Sequence, residues 1–169
     1  MIISDRPWKH LYIDDFMPDY MLQYHYNKAQ QVDPQGDVGR LILDYDPMHR
    51  VADLLEHFPN HRPYNKLGKF IHYAATAANL THAVHTDAPF KILSAVLYLG
   101  PTDNYGTRLY DQTKFDKEVE WKPNRLVVFA GNDYTWHDYR SKQVRFTLNY
   151  FLVDPDVIEN QQYKQGIIM

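Results

Sequence analysis

Between residues 67 and 153 the chain is cut by turn residues into short β-branched and aromatic stretches, and no other feature limits the fold as much. Stretches 67–75, 81–87, 90–99, 107–110, 117–121, 125–130 and 143–153 read as strands. Asn79, Pro89, Gly100-Pro101, Asn104, Pro123-Asn124 and Gly131-Asn132 separate them. Roughly seven strands in about 90 residues predict a sandwich or a closed double sheet rather than alternating βαβ units.

The first third of the chain is different. Residues 11–16 read as a strand, and Pro18 opens a helix reaching Ala29, with proline at a favoured first-turn position. Val32-Asp33-Pro34-Gln35-Gly36-Asp37 is a loop, and residues 39–45 a further strand. After Asp46-Pro47, the apolar residues Val51, Leu54, Leu55 and Phe58 fall on one helical stripe, closed by Pro59. The expectation is a single domain over 1–169, in which a helical N-terminal part (1–66) packs on a mainly β core (67–153) followed by a C-terminal tail (154–169). A chain of 169 residues suits that plan, since it can bury about two-thirds of its unfolded surface.

Composition removes several kinds of chemistry. There is no cysteine, hence no disulfide, thiolate-bound zinc, iron–sulfur cluster or thiol nucleophile. A formal charge of −3 supplies no basic field for nucleic acid. No apolar run approaches about 18 residues, so no membrane span is expected. The polar, Pro7-broken start is not a signal peptide, and a cytoplasmic location is expected.

The sharpest chemical signal is His85-Thr86-Asp87. On a strand, residues i and i+2 share a face, so this imidazole and carboxylate can reach one ion while Thr86 points away. A third ligand must come from elsewhere, and His137, just past the apolar stretch 125–130, is the best candidate. Two imidazoles and one carboxylate on one face of an octahedron leave the opposite positions open. The stretch 143–153 adds a second element. Its alternation puts Arg145, Thr147, Asn149 and Phe151 on one face, with Phe146, Leu148, Tyr150 and Leu152 on the other. An inward Arg in so apolar a strand is costly unless it meets an anion. Its planar fork suits a carboxylate, and the Thr147 hydroxyl can assist. His10, His25, His49, His57, His61, His72 and His82 read as ordinary structural histidines. His82 has the wrong strand parity to join His85, and His72 at most neighbours the site.

In order and spacing, His85-Thr86-Asp87, His137 and Arg145 resemble the His-x-Asp…His…Arg signature of the 2-oxoglutarate/iron(II) dioxygenase superfamily, most nearly its prolyl-hydroxylase-like branch. The resemblance covers roughly residues 67–153, and the opening Tyr12-Ile13-Asp14-Asp15-Phe16-Met17-Pro18 is similar to the start of many such domains. It implies a double-stranded β-helix, or jelly-roll, with the N-terminal helices packed against it. It implies an oxygenase that uses iron(II), 2-oxoglutarate as co-substrate and dioxygen, with ascorbate as an accessory reductant. His85, Asp87 and His137 would be the catalytic metal ligands. Arg145 and Thr147 would hold the distal carboxylate of 2-oxoglutarate, with Tyr98 and Tyr73 as further co-substrate contacts. The substrate would be a peptidyl residue such as proline, or a small amino-acid-like molecule, acted on by a monomer or weak homodimer. The segment Asn104-Tyr105-Gly106-Thr107 departs from the paired glycines of many relatives, which bears on substrate class. Two other readings stand beside this one: a cupin-like metal enzyme that needs no 2-oxoglutarate, and a non-catalytic jelly-roll binding module. If Asp87 is a metal ligand, a desolvated charge in the metal-free site predicts that Asp87→Asn leaves metal-free stability unchanged or higher.

Overall fold

A computed structural model describes residues Met1–Met169. Ten strands and two helices follow in the order β1 (Ile2–Ser4), β2 (His10–Ile13), α1 (Asp19–Ala29), β3 (Val38–Ile42), β4 (Gly68–Thr76), β5 (Lys91–Gly100), β6 (Thr107–Asp111), β7 (Lys114–Val119), β8 (Leu126–Ala130), β9 (His137–Tyr139), β10 (Arg145–Val153) and α2 (Gln161–Gln165). The protein is mainly β and its strand pairs are antiparallel. A seven-stranded sheet has the order β1-β2-β8-β5-β10-β4-β3, and a three-stranded sheet the order β7-β6-β9. No helix is long and apolar enough to cross a membrane.

Strand alternation divides the large sheet into two faces. Ile71, Tyr73, Leu93, Ala95, Leu97, Leu148, Tyr150 and Leu152 point to one side and form the main apolar core with Leu11, Ala29, Val51 and Phe58. Helix α1 covers this side, with the Tyr26 ring 5.8 Å from that of Phe146. The other face looks toward the small sheet. Its β10 contribution is Arg145, Thr147, Asn149 and Phe151, as the alternation of the sequence requires. Burial of the apolar face thus fixes the register, since a slip by one residue would exchange the two sets.

Two local readings need correction. The stripe after Pro47 forms a 3-10 segment, His49–His57, with i to i+3 bonds such as Val51 N–H to Met48 O (2.9 Å), not an α-helix. Residues 81–87 do not form a strand but an irregular passage, held by single bridges from Thr81 to Arg140 and from His85 to His137. The C-terminal residues also dock onto the body. Ile168 bridges Lys69, and the Tyr163 ring of α2 lies 4.8 Å from Phe70 and 5.3 Å from Phe90.

Candidate metal centre

His137 sits on β9, opposite Leu109 of β6. It exchanges both backbone hydrogen bonds with His85, at 3.0 and 2.9 Å, so backbone pairing brings the rings to a centroid separation of 4.5 Å. Strand β9 is anchored from behind. Asp138 points away from the cavity and accepts from Arg108 at 2.7 and 2.6 Å and from the Tyr110 hydroxyl at 2.9 Å. His137 and Tyr139 therefore both face inward.

Each histidine carries a carbonyl on its Nδ1. His85 Nδ1 lies 2.7 Å from Ala83 O, and His137 Nδ1 lies 2.8 Å from Thr135 O. A carbonyl can only accept, so Nδ1 must hold the proton and the Nε2 lone pair is left free. Both Nε2 atoms address Asp87 Oδ1, at 3.8 and 3.5 Å. The three donor atoms lie within 4.8 Å of one another. Adjacent donors at about 2.1 Å from one ion would be about 3.0 Å apart, so a small inward movement completes a site. The donor set, two imidazoles and a carboxylate on one side, suits an octahedral first-row ion with open positions.

Asp87 is buried and ionised. Burial would raise its carboxyl, but Lys91 (Nζ 3.6 Å from Oδ1), His137 and the Ser94 hydroxyl together hold it well below the usual carboxylate range. Ser94 Oγ donates to Oδ2 at 2.5 Å, leaving Oδ1 toward the histidines. The loop around Asp87 is fastened by Arg62. Its guanidinium donates to the carbonyls of Ala88 (3.0 Å), Lys91 (3.2 Å) and Asp87 (3.2 Å). Gly131 makes room for this cross-link, since a Cβ there would lie 2.0 Å from Lys91 O.

From these three residues a cavity of about 270 Å³ runs between the sheets to Arg145. Arg145 is 4% exposed, and no carboxylate lies within ion-pair distance of it. Its Nε donates to Tyr105 O at 3.2 Å, and the guanidinium lies 5.0 Å from the Trp121 and Tyr139 rings and 5.4 Å from Tyr98. Burial lowers its pKa, with Tyr98, Tyr139 and Glu118 acting the other way. A buried cation caged by aromatic faces still lacks an anion. Thr147 lies on the same wall.

The remaining site candidates separate. Tyr98 lies beneath the wall, stacked on Trp121 at 4.5 Å, and shares a 2.8 Å hydrogen bond with the Thr107 hydroxyl, which does line the cavity. Tyr73 is a correction. It has the opposite parity to the cavity residues His72 and Ala74, faces the apolar core, and bonds His25 Nδ1 at 2.6 Å. His82 is not an ordinary surface histidine. Its ring lies 4.6 Å from His85 and stacks on Tyr139 at 4.8 Å, which becomes possible because residues 81–87 are not a regular strand. His72 lies on the cavity wall, and Tyr105-Gly106 borders Arg145. Gly106 is required there, because a Cβ would lie 1.8 Å from Val119 O. Nothing local in sequence marks Ser94, Lys91 or Arg62 as site residues. They reach the site through loops and strand ends.

No known protein-family model matches the sequence and no curated protein is similar to it. Solved structures do match. A prolyl-4-hydroxylase of Pseudomonas putida superposes with a TM-score of 0.62 at 16% identity, over 86% of this chain and 92% of that one. A Trichoplax adhaerens prolyl hydroxylase, solved with a peptide fragment of the hypoxia inducible factor oxygen degradation domain, gives 0.67 at 15% identity, over 87% and 84%. The viral collagen prolyl hydroxylase of Paramecium Bursaria Chlorella virus-1, solved with 2-oxoglutarate, gives 0.66 at 12%, over 86% and 95%. The chain therefore has the fold of the prolyl hydroxylases and related 2-oxoglutarate/iron(II) oxygenases.

Proposed function

We propose that this protein is an iron(II)- and 2-oxoglutarate-dependent oxygenase of the prolyl-hydroxylase-like branch, built as a single jelly-roll domain. One observation carries the reading: a single cavity has a three-residue metal-binding cluster at one end and a buried, unpaired Arg145 at the other. His85, Asp87 and His137 would hold iron(II), which, when bound, supplies the activation of dioxygen and the oxidation of a C–H bond. Iron and co-substrate carry the oxidation itself, and the protein's task is placement.

The residues divide that task. The Nδ1–carbonyl bonds of His85 and His137 hold both rings in the Nδ1–H form and turn them to present Nε2. Ser94 and Lys91 keep Asp87 ionised. Arg145 would receive the distal carboxylate of 2-oxoglutarate, with the Thr147 hydroxyl beside it. Trp121 and Tyr139 exclude water around that ion pair, which strengthens it. Tyr98 acts one layer out by fixing Thr107. A cupin-like enzyme without an oxo-acid co-substrate would have no use for a buried, unpaired Arg145. The substrate would be a peptidyl residue such as proline or an amino-acid-like molecule.

The test is succinate release from 2-oxoglutarate with iron(II), dioxygen and ascorbate, screened over peptides and small molecules. Turnover that requires both iron and 2-oxoglutarate is expected. Metal-dependent chemistry that proceeds without 2-oxoglutarate would replace this reading with the cupin-like one.

A further inference from the structure

Strand β3 ends the large sheet, paired with β4 on one side and with no strand on the other. The Asp37 carbonyl accepts from Ala77 N–H and Leu43 N–H donates to Ile71 O, both at 2.8 Å, so the odd-numbered residues here turn their backbone groups to β4. Alternation then points the N–H and C=O groups of Val38, Arg40 and Ile42 outward. No loop, turn or side chain supplies a partner to those six groups. The other sheet edges are blunted. Strands β1 and β9 have only three residues each, and β7 carries Lys114, Asp116, Lys117 and Glu118. Strand β3 instead offers one charge, Arg40, followed by Leu41 and Ile42, which are 48% and 45% exposed.

This edge borders the cavity. Val38 and Arg40 lie on the cavity wall, and with Asp37 they also form one side of a groove of about 460 Å³ whose other side is residues 80–83. His82 lines groove and cavity alike, and its ring lies 4.6 Å from that of His85. A chain laid along β3 would therefore lie beside a passage to the metal cluster. A small molecule cannot satisfy a row of unpaired backbone groups, whereas an extended peptide completes them at the spacing of a sheet. A second copy of the protein fits less well, since full antiparallel overlap of two β3 strands sets Arg40 against Arg40. Arg40 is exposed and belongs to no ion pair, so a carboxylate on the added strand suits the position opposite it.

We infer that the β3 edge docks an extended peptide, which adds to the large sheet beyond β3 with an acidic residue opposite Arg40 and runs on into the cavity past His82. The inference rests on the oxygenase reading proposed above for calling this peptide the substrate, but not for the docking itself. It also divides the peptide in two. Residues opposite Val38, Arg40 and Ile42 exchange two hydrogen bonds with the edge and must carry an N–H, so proline is excluded from those positions. The residue to be oxidised lies beyond the paired stretch, where the chain turns into the cavity.

Docking can be read without turnover. The probe is the peptide acetyl-Thr-Val-Glu-Val-Thr-amide, titrated into the zinc(II)-loaded full chain and followed by amide NMR. It should bind with a Kd of about 1 mM or tighter. Amide exchange should slow at Val38, Arg40 and Ile42 and stay unchanged at Gly39 and Leu41, which already pair with β4. N-methylation of the probe's Glu should weaken binding at least about fivefold, while N-methylation of either Val, whose N–H points away from the edge, should not. Arg40→Glu should weaken binding by roughly fivefold, and a probe with Lys in place of Glu should restore it. With manganese(II) in place of zinc, one end of the bound probe should broaden more than the other. No slowing at the three outward amides, an N-methyl effect that does not alternate, or even broadening along the probe would each overturn the proposal. So would slow exchange of those amides in the free protein that grows with its concentration, the mark of a second copy on the edge. Iron and 2-oxoglutarate take no part in this measurement. A docked peptide without succinate release under any screened condition would overturn the oxygenase reading alone, and succinate release without docking would overturn the edge alone.

Discussion

His72 makes the metal-free protein acid-sensitive, by an amount that can be worked out. Desolvation, aided by Arg40 and Lys91, pulls its pKa from 6.5 down to about 3. The folded value lies below the unfolded one, so between those pH values the unfolded chain binds a proton that the folded chain refuses. Stability therefore falls as pH drops through 6.5 and continues to fall toward 3. Integrating that linkage, His72 removes about 2 kcal/mol between pH 7.5 and pH 5, a large share of a typical domain's 5–15 kcal/mol. His72→Gln keeps an amide able to bond Asn149, whose Nδ2 lies 3.2 Å from His72 Nε2, but cannot titrate. Urea unfolding of both proteins without metal, at pH 7.5 and pH 5, gives four stabilities. The wild type should lose about 2 kcal/mol more than the variant on acidification, whatever the variant's stability at neutral pH. His10, His25 and His85, also shifted down by burial, are common to both and cancel. Equal acid losses in the two proteins would show that His72 is solvated or protonated in the fold, against the geometry described.

Substitutions at three further positions probe the site. Arg145→Ala should raise the 2-oxoglutarate concentration needed for turnover by roughly ten- to a hundredfold with metal affinity nearly intact, and Arg145→Lys should recover only part, as steady-state kinetics will read. Ser94→Ala removes the 2.5 Å bond that fixes Asp87, and metal affinity should fall roughly ten- to a hundredfold in a competitive chelator titration. Asp87→Asn should abolish tight metal binding and also lower metal-free stability at neutral pH, by about 1 to 3 kcal/mol, because the charge that Lys91 and Ser94 stabilise is gone. Since the Asp87 pKa is depressed, that stability deficit should shrink as the pH is lowered through the carboxylate range.

That last sign reverses the expectation from sequence, and the reason shows what sequence carries. A lone carboxylate in an apolar barrel is a burden, and Asp87 looks lone because Lys91 and Ser94 stand on the next strand, where nothing marks them as its partners. The β10 pattern was legible because burial of one face enforces strict alternation, and that alternation correctly assigned Arg145, Thr147, Asn149 and Phe151 to the cavity wall. His85, Asp87 and His137 converge although the strand argument for the first two does not hold. One backbone bridge from His85 to His137 does the work expected of a strand. Strand β9 is only three residues long, too short to leave a periodic signal, and its anchor is the Arg108–Asp138 pair. Tyr73 failed on parity. It is one residue out of phase with His72, and in a sheet one residue is a change of face. Arg62 lies in the N-terminal third and reaches the metal loop through carbonyls, a role with no local signature.

The account stands most directly on 2-oxoglutarate meeting a metal held by His85, Asp87 and His137. Anaerobic titration of iron(II) and then 2-oxoglutarate, followed by visible absorption, reads that meeting, because a 2-oxo acid chelated to iron(II) gives a charge-transfer band. The wild type should develop the band at one iron and one 2-oxoglutarate per chain. His137→Ala should abolish it, and Arg145→Ala should require roughly ten- to a hundredfold more 2-oxoglutarate. Absence of the band from a folded, iron-loaded wild type, or its persistence unchanged in His137→Ala, would contradict the central claim.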